Sequence, residues 1–411
     1  MSAYFDMTAA NAALKELYDG QVVENMVYRK NPLLALVPKF TEFGAKYLPV
    51  PVITGVSQGR SATFSNALAN QSPAQAQSFL LTSKNDYSIA TIDNKTLLAS
   101  RTDKMAFIQG SKIVIDGAIR AATLSLASSL YRSGTGSIAQ VSTSTALSSG
   151  VITLQNPADV VQFEVNQVLQ ANATDGGATP RAALGYVISV DRGAGTVTVS
   201  ATAIGGAAGN PSGWTTSDYL LVQGDNNAKI SGVLAWFPTT APTSSDSFYG
   251  VNRYQDVTRL AGVRYDGSAQ PIEEALIDAS MLVAREDGSP DYFFGNYASY
   301  AALDKVLGAK VQYVDLKGPA GIGFRGIRVN GADSEIKVVP DRNCPALKGF
   351  LVSMECCRLD SLNEAPHISR YTDGLEMLRV YNQDAAELRV TYYANLECNA
   401  PGWNANVTLG A

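Results

Sequence analysis

Histidine is almost absent from this chain of 411 residues: His367 is the one imidazole. A single imidazole and dispersed thiols exclude the ordinary zinc sites, and any histidine-based catalysis would have to run through position 367. Cysteine is nearly as scarce. Cys344, Cys356, Cys357 and Cys398 form no C-x-x-C pair and have no neighbouring ligand set, so they read as ordinary thiols of a chain folded in a reducing interior without disulfides. Charge is low at 17% of residues, with a net value of −5. No basic footprint is available to hold nucleic acid by counterion release. No apolar run approaches the roughly 18 residues of a membrane span. The opening MSAYFDMTAANAALKELYDG has neither the basic start nor the continuous apolar region of a secretory signal.

What is present is a weakly charged globular composition, 46% apolar, on a chain long enough for two or three domains or one elaborated domain. Residues 1 to about 45 read as an arm, amphipathic around Leu14, Leu17 and Val22, broken at Asn31-Pro32 and continued as LLALVPKF. Such a segment buries little of its own surface and needs something else to lie on. Two extended runs follow, YLPVPVITG from Tyr47 and FLLTSKNDYSIATI from Phe79, separated by a polar stretch poor in large apolar side chains. This pattern predicts a long two-stranded excursion with a polar tip, and an isolated hairpin is marginal in water without a partner surface. From Thr102 to Tyr131 the apolar residues Ile108, Ile115, Ile119, Ala122, Leu126 and Leu130 draw one helical stripe, ended by Gly134 and Gly136.

Residues 134–238 change character. Their charged residues are only Arg181, Arg192, Lys229, Asp159, Glu164, Asp175, Asp191, Asp218 and Asp225. Short apolar runs at 151–154, 163–169, 186–190, 196–199, 219–222 and 233–236, with the turn DRGAG, predict a small β-barrel or sandwich inserted into a larger fold. Beyond PTTAPTSSDS, helices are expected in PIEEALIDASMLVAREDG and in NYASYAALDKVLG, the latter with Asn296 as N-cap. Strands are expected at 326–329, 335–339, 349–353, 375–380, 388–393 and 404–409. Helices and strands mix without βα alternation, which argues an α+β fold.

Three short matches suggest chemistry, and each lacks its context. GVSQG, Gly55 to Gly59, fits the G-x-S-x-G nucleophile elbow, with Ser57 and His367 in hydrolase order. The strand feeding Ser57 carries Pro49 and Pro51, which cannot donate to a central ladder, and no apolar helical stripe follows. GIGFRG places Gly321, Gly323 and Gly326 in G-x-G-x-x-G register, but with 35 glycines chance alone yields roughly 0.25 such matches. It also precedes a strand and a turn, not a helix. GDNNAKI at Asp225 lacks the sixth-position glycine and closing glutamate of a calcium loop. No catalytic, cofactor-binding or metal-binding residue is assigned.

The order of parts, with LKELYDGQVVENMVYRKNPLLALVPK in the arm, DYFFGNYASYAALDKVLGA before a helix and VTYYANLECNAPGWNANVTL at the end, resembles the major capsid proteins of tailed bacteriophages, the Hong Kong 97 type shell fold. The resemblance implies an N-terminal arm at 1–49, an extended loop at 50–95 and a peripheral-domain spine helix at 96–133. An inserted β domain would fill 134–238, a peripheral return 239–270, an axial domain 271–370 and closing strands 371–411. It further implies a non-enzymatic chain without cofactor, self-assembling in the host cytoplasm into hexamers and pentamers of an icosahedral virion. The shell would enclose double-stranded DNA without binding it specifically or touching a membrane. Scaffolding and portal proteins would be separate partners, and a decoration protein a further one. The alternatives are an encapsulin-like nanocompartment shell or a hydrolase built on Ser57 and His367.

Overall fold

Pro49 and Pro51 decide how the first long strand is used. In the computed structural model, which describes residues 26–44, 46–95, 104–308, 311–317, 323–370 and 377–410, Leu48–Gly55 pairs antiparallel with Gln75–Leu81 and with no other strand. An edge position tolerates residues that lack an N–H. The run from Phe79 is not one strand, as the sequence pattern predicts, but two. Its first half closes the hairpin, while Lys84–Asp93 departs to pair with the strand Ala385–Cys398, setting Tyr87 opposite Thr391 and Ile89 opposite Arg389. The change of partner follows the side chains. Phe79 and Leu81 are buried at the hairpin base, and Ala90 and Ile92 are buried against the body.

Ala385–Cys398, fourteen residues long, is the axis of a six-stranded sheet. Cys357–Ser361, His367–Ile368, Met377–Arg379 and Lys84–Asp93 all pair with it, and Lys39–Phe40 adds on in parallel beside Cys357–Ser361. The helix Lys104–Ser129, about 39 Å long at 1.5 Å per residue, lies against this sheet. It buries Ile115, Ile119, Ala122 and Leu126, with Leu130 just beyond its end. Those are the expected stripe residues; the side chain of Ile108 lies outside the described ones.

The arm differs from expectation. Leu14, Leu17 and Val22 lie outside the described residues, but Val27, Leu33, Leu34, Ala35 and Val37 are buried in this subunit's own core. Pro32–Leu36 is a short helix started by its proline, and Lys39–Phe40 enters the sheet. Residues 26–40 therefore have their supporting surface within the chain.

Six short strands form the third body: Ser137–Gln140, Val151–Thr153, Val168–Asn172, Leu184–Asp191, Thr196–Ser200 and Tyr219–Val222. The sheet closes on itself. Ser142 N donates to Thr153 O at 2.9 Å and Gln155 N to Gln140 O at 2.8 Å, joining the first strand to the second. The result is a small barrel filled by Val141, Ile152, Phe163, Leu169, Val187, Val197 and Leu220. Two expected strands are corrected here. Pro157 starts a 3-10 turn at Pro157–Gln162 that carries Phe163 into the barrel interior, so the strand begins only at Val168. Val233–Trp236 is one helical turn. Its strand-like composition yields to packing, because Trp236 is fully buried and its Nε1 donates to Leu396 O at 2.9 Å.

A mixed seven-stranded sheet, in the order Val263–Gly267, Ala405–Leu409, Lys348–Val352, Tyr292–Gly295, Glu335–Pro340, Gly323–Asn330 and Tyr313–Lys317, forms the remaining body. The helices Ile272–Ala284 and Tyr297–Leu307 pack on it through Leu276, Ala279, Val283 and Leu303. Asn296 caps the second helix, its side chain accepting from Ala298 N at 3.2 Å, as the sequence predicts.

Candidate assembly surface

Among the described residues the hairpin is held at its base. Phe79 meets Trp236 edge-on at 5.1 Å between ring centroids, and Leu80 N donates to Tyr249 O at 3.0 Å. Away from that anchor, no side chain between Ile53 and Ser78 is buried. The tip contains a short helix, Phe64–Ala69, with no buried residue. Phe64 is 84% exposed and Leu68 61%. Spaced four apart, they share one helix face, and they line a groove of about 630 Å³ with Ser57, Gln58, Gln71 and Pro73. The polar composition of the tip hides this pair in the sequence. The i, i+4 spacing within FSNALA is its only local signal.

Ser57 lies just past the end of the strand Leu48–Gly55, exposed in that groove, which has no histidine or carboxylate in its lining. His367 sits in the other sheet, opposite Thr391, with Nδ1 against Glu364 O at 2.6 Å. Burial holds its imidazole below the usual range. The structure does not bring the two together. Gly321 of the glycine motif lies outside the described residues, and the strand Gly323–Asn330 follows it.

Two buried polar joints tie the bodies together. At the first, Asp341, 1% exposed, accepts from Tyr131 Oη at 2.9 Å, Asn343 N at 2.9 Å and Leu33 N at 3.4 Å. Asn343 Nδ2 donates to Asn31 Oδ1 at 2.9 Å, and Gln162 Nε2 donates to Asn343 Oδ1 at 3.4 Å. The arm, the end of the long helix and the loop after Glu335–Pro340 thus meet at one carboxylate, and the barrel joins through the neighbouring Asn343. Burial pushes the Asp341 carboxyl up to about 6 against the pull of its hydrogen bonds. At the second, Lys229 Nζ reaches Asp86 at 2.7 Å, Asp225 at 3.1 Å and Ser125 Oγ at 2.9 Å. Burial likewise lifts Asp225 to about 6, opposed by Lys229 and helped by Asp86. Ser125 faces an ammonium already shared by two carboxylates, an arrangement that fastens the barrel and offers no free base. Among the described residues no group of three or more histidine, cysteine or acidic side chains could hold a metal, and no helix is long and apolar enough to cross a membrane.

No family model and no curated protein matches the sequence. Among solved structures, the capsid asymmetric unit of cyanophage A-1(L) is similar over 97% of this chain and 98% of its own, at 14% identity and a TM-score of 0.54. The capsid of an empty GTA particle is similar over 99% of both chains, at 11% identity and a TM-score of 0.45. The holo-SrpI encapsulin of Synechococcus elongatus PCC 7942 is similar over 97% of this chain and 94% of its own, at 10% identity and a TM-score of 0.39. The first likeness establishes the fold: this chain has the α+β architecture of a Hong Kong 97 type phage capsid subunit.

Proposed function

We propose that this chain is the major capsid protein of a tailed phage, assembling with its own copies into the hexamers and pentamers of an icosahedral head around double-stranded DNA. The observation that carries this reading is the hairpin, anchored at its base in its own core yet presenting Phe64 and Leu68 uncovered at its tip. On a chain with a shell fold, a second copy is the cover such a tip fits. Residues 50–95 are then the loop that clasps a neighbour, and 96–133 with 239–270 form the peripheral domain. Residues 271–370 form the axial domain, 371–411 are the closing strands of the peripheral and axial domains, and 1–49 are the N-terminal arm. A net charge of −5 suits an inner wall that must not grip packaged DNA. The role is structural rather than enzymatic, with scaffolding, portal and decoration proteins as separate partners, and the location is the virion.

Electron microscopy of the protein expressed in bacteria, alone and with its scaffolding partner, tests the reading. Closed icosahedral particles are expected, and a protein that stays monomeric in both cases overturns it. Particles filled with protein cargo would instead favour a nanocompartment. The barrel is expected to stabilise the shell from an outer face, and its two ends lie close enough together for it to be excised. Gly136, at φ +85, packs directly against the Asp225 carbonyl, so the two ends of the block touch. A deletion of 137–224 spares Ile230, Val233, Trp236 and Phe237, which belong to the main core. Shells formed by this variant should dissociate at lower temperature than wild type; equal stability refutes the barrel's role.

A further inference from the structure

Three of the four cysteines converge where Cys357–Ser361 meets the end of Ala385–Cys398. Cys357 and Cys398 are register partners, 2% and 0% exposed, and both are free thiols. The next position along, Asn399, donates its N–H to Cys356 O at 3.1 Å. Hydrogen-bonded and non-hydrogen-bonded pairs alternate along an antiparallel ladder, so Cys357 and Cys398 occupy a non-hydrogen-bonded pair. There the Cα atoms stand about 4.5 Å apart with side chains at their closest, inside the window of about 4.4–6.8 Å that a disulfide accepts. The two thiols also interact directly. Cys356 interacts with the Ser353 hydroxyl and stands one position out of register with Cys398, whose cross-strand partner is Cys357.

We propose that Cys357 and Cys398 are an oxidation-activated staple, reduced when the chain folds and closed into a cross-strand disulfide by peroxide. A Cys398 or Cys357 thiolate attacks one peroxide oxygen, the O–O bond breaks, and a sulfenic acid forms as hydroxide leaves and takes a proton to become water. The second thiol then attacks the sulfenic sulfur, forming the S–S bond and expelling a second water. Two thiols and one hydrogen peroxide become one disulfide and two waters. Burial and the neighbouring Cys357 thiol raise the Cys398 thiol well above its usual range, so the reaction is slow while the sheet is closed. The staple would tie the strand arriving from the seven-stranded sheet to the axis of the six-stranded one, and it does not depend on the shell reading.

The test treats the full-length protein with hydrogen peroxide, blocks remaining thiols with an alkylating agent under denaturing conditions, and maps peptides by mass spectrometry without reduction. A peptide pair linked through Cys357 and Cys398, two hydrogens lighter than the sum and released by dithiothreitol, is expected together with a higher Tm. Cys398→Ala abolishes both, whereas Cys356→Ser leaves both; the reduced Tm of each variant reports whether it folds. Recovery of alkylated or over-oxidised thiols without the linked pair, a link through Cys356, or a link that leaves Tm unmoved overturns the proposal.

Discussion

Phe64 and Leu68 offer the sharpest separation of folding from assembly. Because they are 84% and 61% exposed, replacing both with serine removes almost nothing from the isolated subunit, and surface changes of this kind stay within about 0.5 kcal/mol each. Covering such side chains on a neighbour gains about 1.5–3 kcal/mol apiece when burial is complete. Scaled by the surface still open, the pair supplies about 2–4 kcal/mol per clasp. At 1.4 kcal/mol per decade, that is a contact weakened about thirty- to several-hundredfold, repeated at every subunit of a closed shell. Thermal unfolding of the unassembled Phe64→Ser, Leu68→Ser variant should therefore match wild type. Sedimentation and electron microscopy over a concentration series should show closed particles appearing only at much higher concentration, or not at all. If the double variant assembles at the wild-type concentration, the tip is not a clasp.

The polar joints make further predictions. Tyr131→Phe deletes a hydrogen bond to buried Asp341 and should cost about 1–3 kcal/mol in denaturant unfolding; a loss under about 0.5 kcal/mol would mean that Asn343 and Leu33 suffice. The pH dependence has a definite sign. Asp341 and Asp225 lie near 6 in the fold against 3.8 ordinarily, so between those values the folded state holds more protons than the unfolded one. Their contribution to stability is greatest at the acid end and is lost as pH rises through about 6. Asp341→Asn should flatten that part of the stability profile measured by urea titration; an unchanged slope refutes the assignment. Gly136→Ala should lower stability by about 1–3 kcal/mol through backbone strain, because φ is +85 and a Cβ would strike the Asp225 carbonyl. A variant as stable as wild type would show that the joint gives way freely.

Much of this protein is legible locally. The helical stripe from Ile115 to Leu126, the Asn296 cap, the low-charge β block and the proline-bearing edge strand are each set by residues close together in the chain. Periodicity, capping and the missing proline N–H act within a few residues, so a linear pattern records them. The same two prolines, Pro49 and Pro51, argue against a Ser57 elbow from the sequence alone, since a strand that cannot donate at those positions cannot sit mid-sheet. Long-range packing decided the rest. The run from Phe79 changes partners at Thr82-Ser83 because its two halves pair with strands remote from each other in the chain, Leu48–Gly55 and Ala385–Cys398. Val233–Trp236 coils because Trp236 fills a core built from distant strands. Residues 26–40 dock on their own subunit, since the surface that receives them comes from residues hundreds of positions away. Closure of the barrel, the polar joint at Asp341 and Asn343 and the pairing of Cys357 with Cys398 likewise depend on register between remote segments. Composition and short-range spacing determined most of the elements that form, and packing overrode them at Val233–Trp236 and around Phe163. Which surfaces they bury, and so which remain exposed, was settled by tertiary packing alone, because burial is a property of where the chain returns and not of what it is made from.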